Sequence, residues 1–264
     1  MSQRRVLITG AGSGLGRALA ERYAAAGCAI ACADIHADRA AETVAALPGQ
    51  GHFALTVDVG DDDSFEAMHA ALGERWPGAV DVLINNAGIA SGGPLIGTDM
   101  GEWHRLININ VLSVVRGCQA FLPAMLAAGR GQIINTASFA GLAGAPNIMT
   151  YGVSKAAVVT LSEQLRAELH GRGIAVSVLC PAFFKTNLLE SWQGNARMKP
   201  FAEKMMTTSP DTLDTVADAV FAAAERQQFM IIPTRNEPMR WRIKRWFPQW
   251  YFRMLIKATR STTK

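Results

Sequence analysis

From the first residues to about position 232, short apolar, β-prone runs alternate with alanine-rich amphipathic segments, and nothing else in the 264-residue chain restricts its fold as strongly. The strand candidates are RVLITG, CAIACAD, HFALTVDV, VDVLINN, GQIINTAS, IAVSVLCP and a weaker FMIIP. Helical periodicity occupies 15–27, 37–47, 62–76, 101–128, 152–171 and 211–225 between them. Short apolar strands separated by helices make βαβ units, whose parallel sheet is covered on both faces. Right-handed crossovers then leave a three-layer, doubly wound α/β fold with a mainly parallel seven-stranded sheet.

With 49% hydrophobic and 18% charged residues, the chain can bury a sizeable core. It has no internal repeat and no Pro/Gly/Ser-rich linker, so one domain over 1–232 is expected, followed by a basic, aromatic extension over 233–264. No run approaches about 18 consecutive apolar residues, so no membrane-spanning helix is expected. The apolar run in the opening MSQRRVLITGAGSG is too short for a signal-peptide core, which makes the cytoplasm the expected location. Cys28, Cys32, Cys118 and Cys180 form no CxxC pair and have no histidine partners at ligand spacing, so buried free thiols and no metal site are expected.

The first strand candidate runs directly into TGAGSGLG at 9–16 and then into an amphipathic helix. Gly10, Gly12, Gly14 and Gly16, with Ser13 and Leu15 between them, let the backbone approach a pyrophosphate, and the helix N-terminus offers free N–H groups and partial positive charge. The strict GxGxxG spacing is absent; the pattern is GxxxGxG, and its place between strand and helix points to a dinucleotide site. Asp34 ends the second strand candidate, 18 residues after Gly16, where it can accept from ribose hydroxyls or, alternatively, cap the next helix. A 2′-phosphate beside it would meet like charge; Ser13 and Ile35 offer no cation, although Arg39 lies one turn on, so NAD is favoured over NADP. Asp58, followed by Val59, closes the third strand candidate and suits either an adenine edge or helix capping by the DVGDDD cluster.

Ser138 closes the fifth strand candidate, and Tyr151 and Lys155 open the helix after it, all at the carboxyl edge of the sheet, where doubly wound folds bind ligands. At i and i+4, Tyr151 and Lys155 share one helical face. A free tyrosine titrates near 10, and lowering it by roughly three units takes about 4 kcal/mol. An ammonium about 4 Å away at an effective dielectric near 20 supplies about that much. A phenolate so placed can take an alcohol proton while hydride leaves the same carbon, and Ser138 can hold the oxygen.

TGAGSGLG, Asp58, NNAG at 85–88, Asn110 seven residues after Trp103, Ser138 thirteen before Tyr151, and YGVSK together resemble the short-chain dehydrogenase/reductase pattern over about residues 4–232. The resemblance implies a Rossmann fold and an NAD(P)-dependent alcohol dehydrogenase or ketone reductase, most often a homodimer or homotetramer. It further implies that Asn110 anchors a water in a proton relay through Lys155, that Asn86, Ala87 and Gly88 flank the adenosine side, and that Lys155 holds nicotinamide-ribose hydroxyls. PAFFKT, from Pro181 to Thr186, is similar to the family's PGxxxT, whose threonine meets the nicotinamide carboxamide; Ala182 stands where the glycine would be. The competing readings are an NADPH-dependent ketone or 3-oxoacyl reductase, disfavoured by Asp34, and a non-catalytic dinucleotide-binding regulator.

Residues 182–209 correspond to the family's substrate flap and are rich in Phe, Leu, Trp and Met: Phe183, Phe184, Leu188, Leu189, Trp192, Met198, Phe201, Met205 and Met206. With Ile148 and Met149 they suggest a hydrophobic secondary alcohol or ketone, unless they only pack the flap. The basic character sits at the end of the chain: nine Lys or Arg against one acid from Arg235 onward, and 17 against 21 before it. Residues 239–258 place Trp, Phe, Met and Leu among these cations, which suits a membrane interface, a neighbouring subunit or the substrate mouth; no nucleic-acid-reading module accompanies the charge.

Overall fold

The computed structural model describes residues 3–192 and 194–260; the outermost positions of the expected body and extension, 1–2 and 261–264, and position 193 of the flap lie outside the described residues. The first half runs β1 (Arg5–Thr9), α1 (Gly14–Ala25), β2 (Ala29–Asp34), α2 (Ala37–Ala46), β3 (Phe53–Thr56), α3 (Asp62–Arg75) and β4 (Val82–Asn85). The second runs α4 (Met100–Ile107), α5 (Ser113–Ala128), β5 (Gly131–Thr136), α6 (Phe139–Ala143), α7 (Met149–Glu168), β6 (Ile174–Leu179), α8 (Lys199–Thr207), α9 (Leu213–Glu225) and β7 (Met230–Ile231). Two further helices, α10 (Glu237–Trp246) and α11 (Pro248–Arg260), close the described chain.

All seven strands are parallel, in the order β3-β2-β1-β4-β5-β6-β7. The order reverses between β1 and β4, and that switch opens a crevice above their carboxyl ends. Because successive strand side chains point to opposite faces, each strand feeds two cores. Leu7, Leu83 and Ile133 pack with Phe65, Phe121 and Val158 of α3, α5 and α7. Val6, Ile8, Ile84 and Ile134 pack with Leu19, Val216 and Val220 of α1 and α9.

The helix expected over 101–128 is interrupted. Asn108–Leu112 forms a π-helical turn between α4 and α5, a local widening that apolar periodicity does not reveal. The continuous path Met100–Ala128 is also long and apolar enough to cross a membrane, contrary to the reading from apolar runs. Its Leu106, Val114, Cys118, Phe121 and Met125 are buried in the molecule, as for a helix that covers a sheet. The four cysteines are free and buried, and burial pushes the thiols of Cys32, Cys118 and Cys180 up to about 12. No cluster able to hold a metal is present among the described residues.

Candidate active site

A cleft of about 600 Å³ lies above the switch between β1 and β4. Its floor is the turn between β1 and α1. Gly14 there has φ +50, a left-handed conformation that glycine adopts without strain, and the nearest side chain to its missing Cβ is Thr186 at 3.6 Å. A Cβ on Gly16 would lie 2.1 Å from the carbonyl oxygen of Gly10, so that position admits no side chain. The Asn86 amide donates to the Thr9 carbonyl at 3.0 Å and the Gly10 carbonyl at 3.3 Å, and the Thr9 hydroxyl accepts from the backbone N–H of Asn86 and Ala87. Asn86 thus spends its side chain holding the turn in shape.

Asp34 does not cap α2; His36 occupies that position. The buried Asp34 carboxylate accepts from Gly12 N at 2.8 Å and His36 N at 3.0 Å, which fixes it at the rim of the cleft with lone pairs left for ribose hydroxyls. Asp58 is not a helix cap either: Asp61 caps α3, while Asp58 Oδ1 accepts from Gly60 N at 2.8 Å. Asp58 and Val59 both line the cleft, beside Gly88 and Ala87.

Ser138 caps α6, accepting from Ala140 N at 3.1 Å and donating to the Pro181 carbonyl at 3.3 Å. Tyr151 and Lys155 project from the first turns of α7 into the same cleft, with Lys155 Nζ 5.9 Å from the Tyr151 ring centroid. That ammonium donates to the Thr136 carbonyl at 2.9 Å, a partner no sequence pattern announces because it is backbone. The expected depression of the tyrosine by the lysine is not what the chain alone achieves. Burial raises the Tyr151 phenol above its ordinary range, a hydrogen bond with Ser138 pulls it back, and burial lowers Lys155 to about 8. At neutral pH the phenol therefore carries its proton.

Asn110 is fully buried in the π turn and does not line the cleft. Its Oδ1 accepts from Ile89 N at 2.9 Å, and its Nδ2 donates to the Ile89 carbonyl at 3.0 Å and to Ser154 Oγ at 3.1 Å. The side chain thus ties the loop after β4 to α7 at Ser154, the residue before Lys155, rather than facing the cleft. Gly16 also lies behind the lining, whereas Gly10, Ser13, Gly14, Leu15, Asp34, Ser138, Tyr151, Lys155, Pro181 and Thr186 are all in it. Ala182 is tolerated without a glycine: among the described non-glycine residues only Asn147 and Gln227 have positive φ.

The flap forms the roof. Phe184 is buried in the α1/α9 core, and Leu189 and Ala202 pack with Ala90 in a small cluster that Tyr151, Leu188, Trp192 and Met206 join. Phe183, Phe201 and Met205 face outward instead of forming the expected wall. Sequence reasoning missed Glu190, which pairs with Arg39 at 3.0 Å; both line the cleft, although they stand 151 residues apart.

The glycine turn and the anchored Asp34 carboxylate fit a dinucleotide, whose pyrophosphate would be held at the α1 N-terminus, its adenosine ribose at Asp34 and its nicotinamide end near Thr186 and Tyr151.

The family model described as short chain dehydrogenase matches residues 4–197. Meso-2,3-butanediol dehydrogenase of Serratia marcescens is 32% identical over 226 residues, covering 85% of this chain and 89% of that protein. A short chain dehydrogenase/reductase from Burkholderia phymatum in complex with NAD superposes with a TM-score of 0.86 at 30% identity, covering 92% of this chain and 93% of that one. A short-chain dehydrogenase from Sphingobium yanoikuyae in complex with NADPH superposes with a TM-score of 0.75 at 30% identity, covering 87% of each.

Proposed function

The chain belongs to the short-chain dehydrogenase/reductase family, and from that premise we propose that it is an NAD-preferring oxidoreductase interconverting a hydrophobic secondary alcohol and its ketone. The observation that carries this reading is the convergence of Ser138, Tyr151 and Lys155 on one cleft whose floor is the glycine turn. When bound, the nicotinamide dinucleotide supplies hydride acceptance or donation. Tyr151 Oη moves the proton: protonated at neutral pH, it is set to donate to a ketone oxygen and become phenolate, and in the oxidation direction it takes the alcohol proton only after its own proton has passed to solvent. Ser138 Oγ, in the same cleft, holds the same substrate oxygen. Lys155, fixed by the Thr136 carbonyl, presents its ammonium to ribose hydroxyls, and Asn110 positions α7 and the loop after β4.

Asp34 supports the preference for NAD, because a 2′-phosphate would bring a second negative charge to its carboxylate. The apolar cluster around Tyr151, formed by Leu188, Leu189, Trp192 and Met206, supports a hydrophobic substrate. The relative named for a small diol supplies the competing substrate class. Reduction of NAD would be followed with a bulky hydrophobic secondary alcohol, 2,3-butanediol and a polyol; preference for the polyol overturns the hydrophobic assignment. Tyr151→Phe should lower kcat by about 10³-fold while NADH fluorescence titration stays unchanged; near-normal turnover would remove the proton role. Asp34→Ala should narrow the NAD-to-NADP ratio of kcat/KM by about 10-fold. An unchanged ratio counts against the ribose contact.

A further inference from the structure

The last two helices present a surface that the proposed chemistry does not use. Trp246, Phe247, Trp250 and Phe252 fall within seven residues, and each is more than half exposed, at 72%, 65%, 55% and 57%. Single exposed apolar residues are ordinary, but four large aromatic rings together mark a docking surface. The opposite side of the helix pair is fixed: Lys244 donates to the Leu142 carbonyl, and Tyr251, buried, donates to the Ala143 carbonyl at 3.0 Å. With Tyr251 turned to the body, Trp250 and Phe252 lie about 100° to either side of it along α11, and both rings stay exposed, as do Trp246 and Phe247.

Charge selects the occupant. Nine Lys or Arg and one acid lie from Arg235 onward, and that acid, Glu237, is buried and paired with Arg240. Arg242, Arg245, Arg253 and Lys257 are exposed around the aromatic rings. A two-fold contact through this face would set it against an identical cationic surface, with no accessible acid to answer it. A bilayer with anionic headgroups answers both features: aromatic rings, tryptophan above all, settle at the interface, and each cation near the surface gains from the lipid charge. The rest of the chain, with 17 basic against 21 acidic residues, is repelled by the same surface, so the molecule would be oriented with this end down. We propose that α10 and α11 dock the protein onto anionic lipid bilayers.

The test is co-sedimentation of the full chain with vesicles of phosphatidylcholine alone and of phosphatidylcholine mixed with phosphatidylglycerol, together with light scattering for mass. The expected result is binding at least about 10-fold stronger to the anionic vesicles, weakened by salt. Two variants should lose it: Trp246→Ser/Phe247→Ser/Trp250→Ser/Phe252→Ser, and Arg242→Gln/Arg245→Gln/Arg253→Gln/Lys257→Gln. Each should keep its mass and its NADH binding, the second showing that the fold survives. Equal or negligible binding to both vesicle types overturns the proposal. So does a fall in mass in the aromatic variant, which would make this face a subunit interface.

Discussion

The floor and the roof of the cleft are built by different means. On the floor, every group that matters is held by short backbone hydrogen bonds: Asp34 by Gly12 and His36, the glycine turn by Asn86 and Thr9. Among the described residues, the roof rests on Phe184 in the α1/α9 core, a small apolar cluster, the bond from Asn195 N to the Gly92 carbonyl at 2.7 Å, and an exposed ion pair. The Asp34, Asn86 and Thr9 side chains are committed to those bonds and tolerate little change, whereas an apolar contact accepts many side chains of similar volume. Under the proposed function, the floor would hold the dinucleotide and the roof would select the substrate.

Substitutions can break that contrast, and the largest effect is expected on the floor. Gly16→Ala would drive a Cβ to 2.1 Å from the Gly10 carbonyl and 2.6 Å from Asn86 Nδ2. Forced overpacking of this kind costs about 1–3 kcal/mol, so NADH affinity measured by fluorescence titration should fall by about 10- to 100-fold. Unchanged affinity would show that the turn is as adaptable as the roof. Trp192, half-buried against Gly92, should act oppositely: Trp192→Ala is expected to raise the substrate KM by about 10-fold, with NADH affinity unaltered. A joint loss of both would mean that roof and floor are one unit. The smallest effect belongs to Glu190→Gln. Exposed ion pairs contribute little, so freeing Arg39 should shift the kcat/KM ratio toward NADP by no more than about threefold. A larger shift would make the ion pair a determinant of cofactor choice.

The contrast also explains what was legible in the sequence. All seven strand candidates became strands; the central ones, buried on both faces, are written as apolar runs, while the edge strands β3 and β7 are only partly buried. Ser138, Tyr151 and Lys155 were legible for a related reason: they sit at ends of elements whose order determines where they meet. The role of Asn110 was only half legible. One extra residue in a helical turn leaves its apolar surroundings unaltered, so the π turn that turns its amide toward Ile89 and Ser154 left no trace in the periodicity. In the roof, α8 and the short helical turns at Asn187–Ser191 and Ala196–Met198 have too few residues for a period to emerge. Their apolar composition suggested one wall, yet Phe184 entered the core of the α1 face while Phe183 next to it faced water. The Arg39–Glu190 pair joins two charged residues that are ordinary in isolation.

Lys244 and Tyr251 reach back 102 and 108 residues to the carbonyls of Leu142 and Ala143, at the end of the short helix that Ser138 begins. As the chain leaves the ribosome, the whole sheet and the glycine turn are already in the open when those two carbonyls are still waiting for their donors. Lys244 and Tyr251 are therefore a late-made clasp on the segment that carries Ser138. A chain ending before residue 244 would keep the glycine turn but lack that clasp.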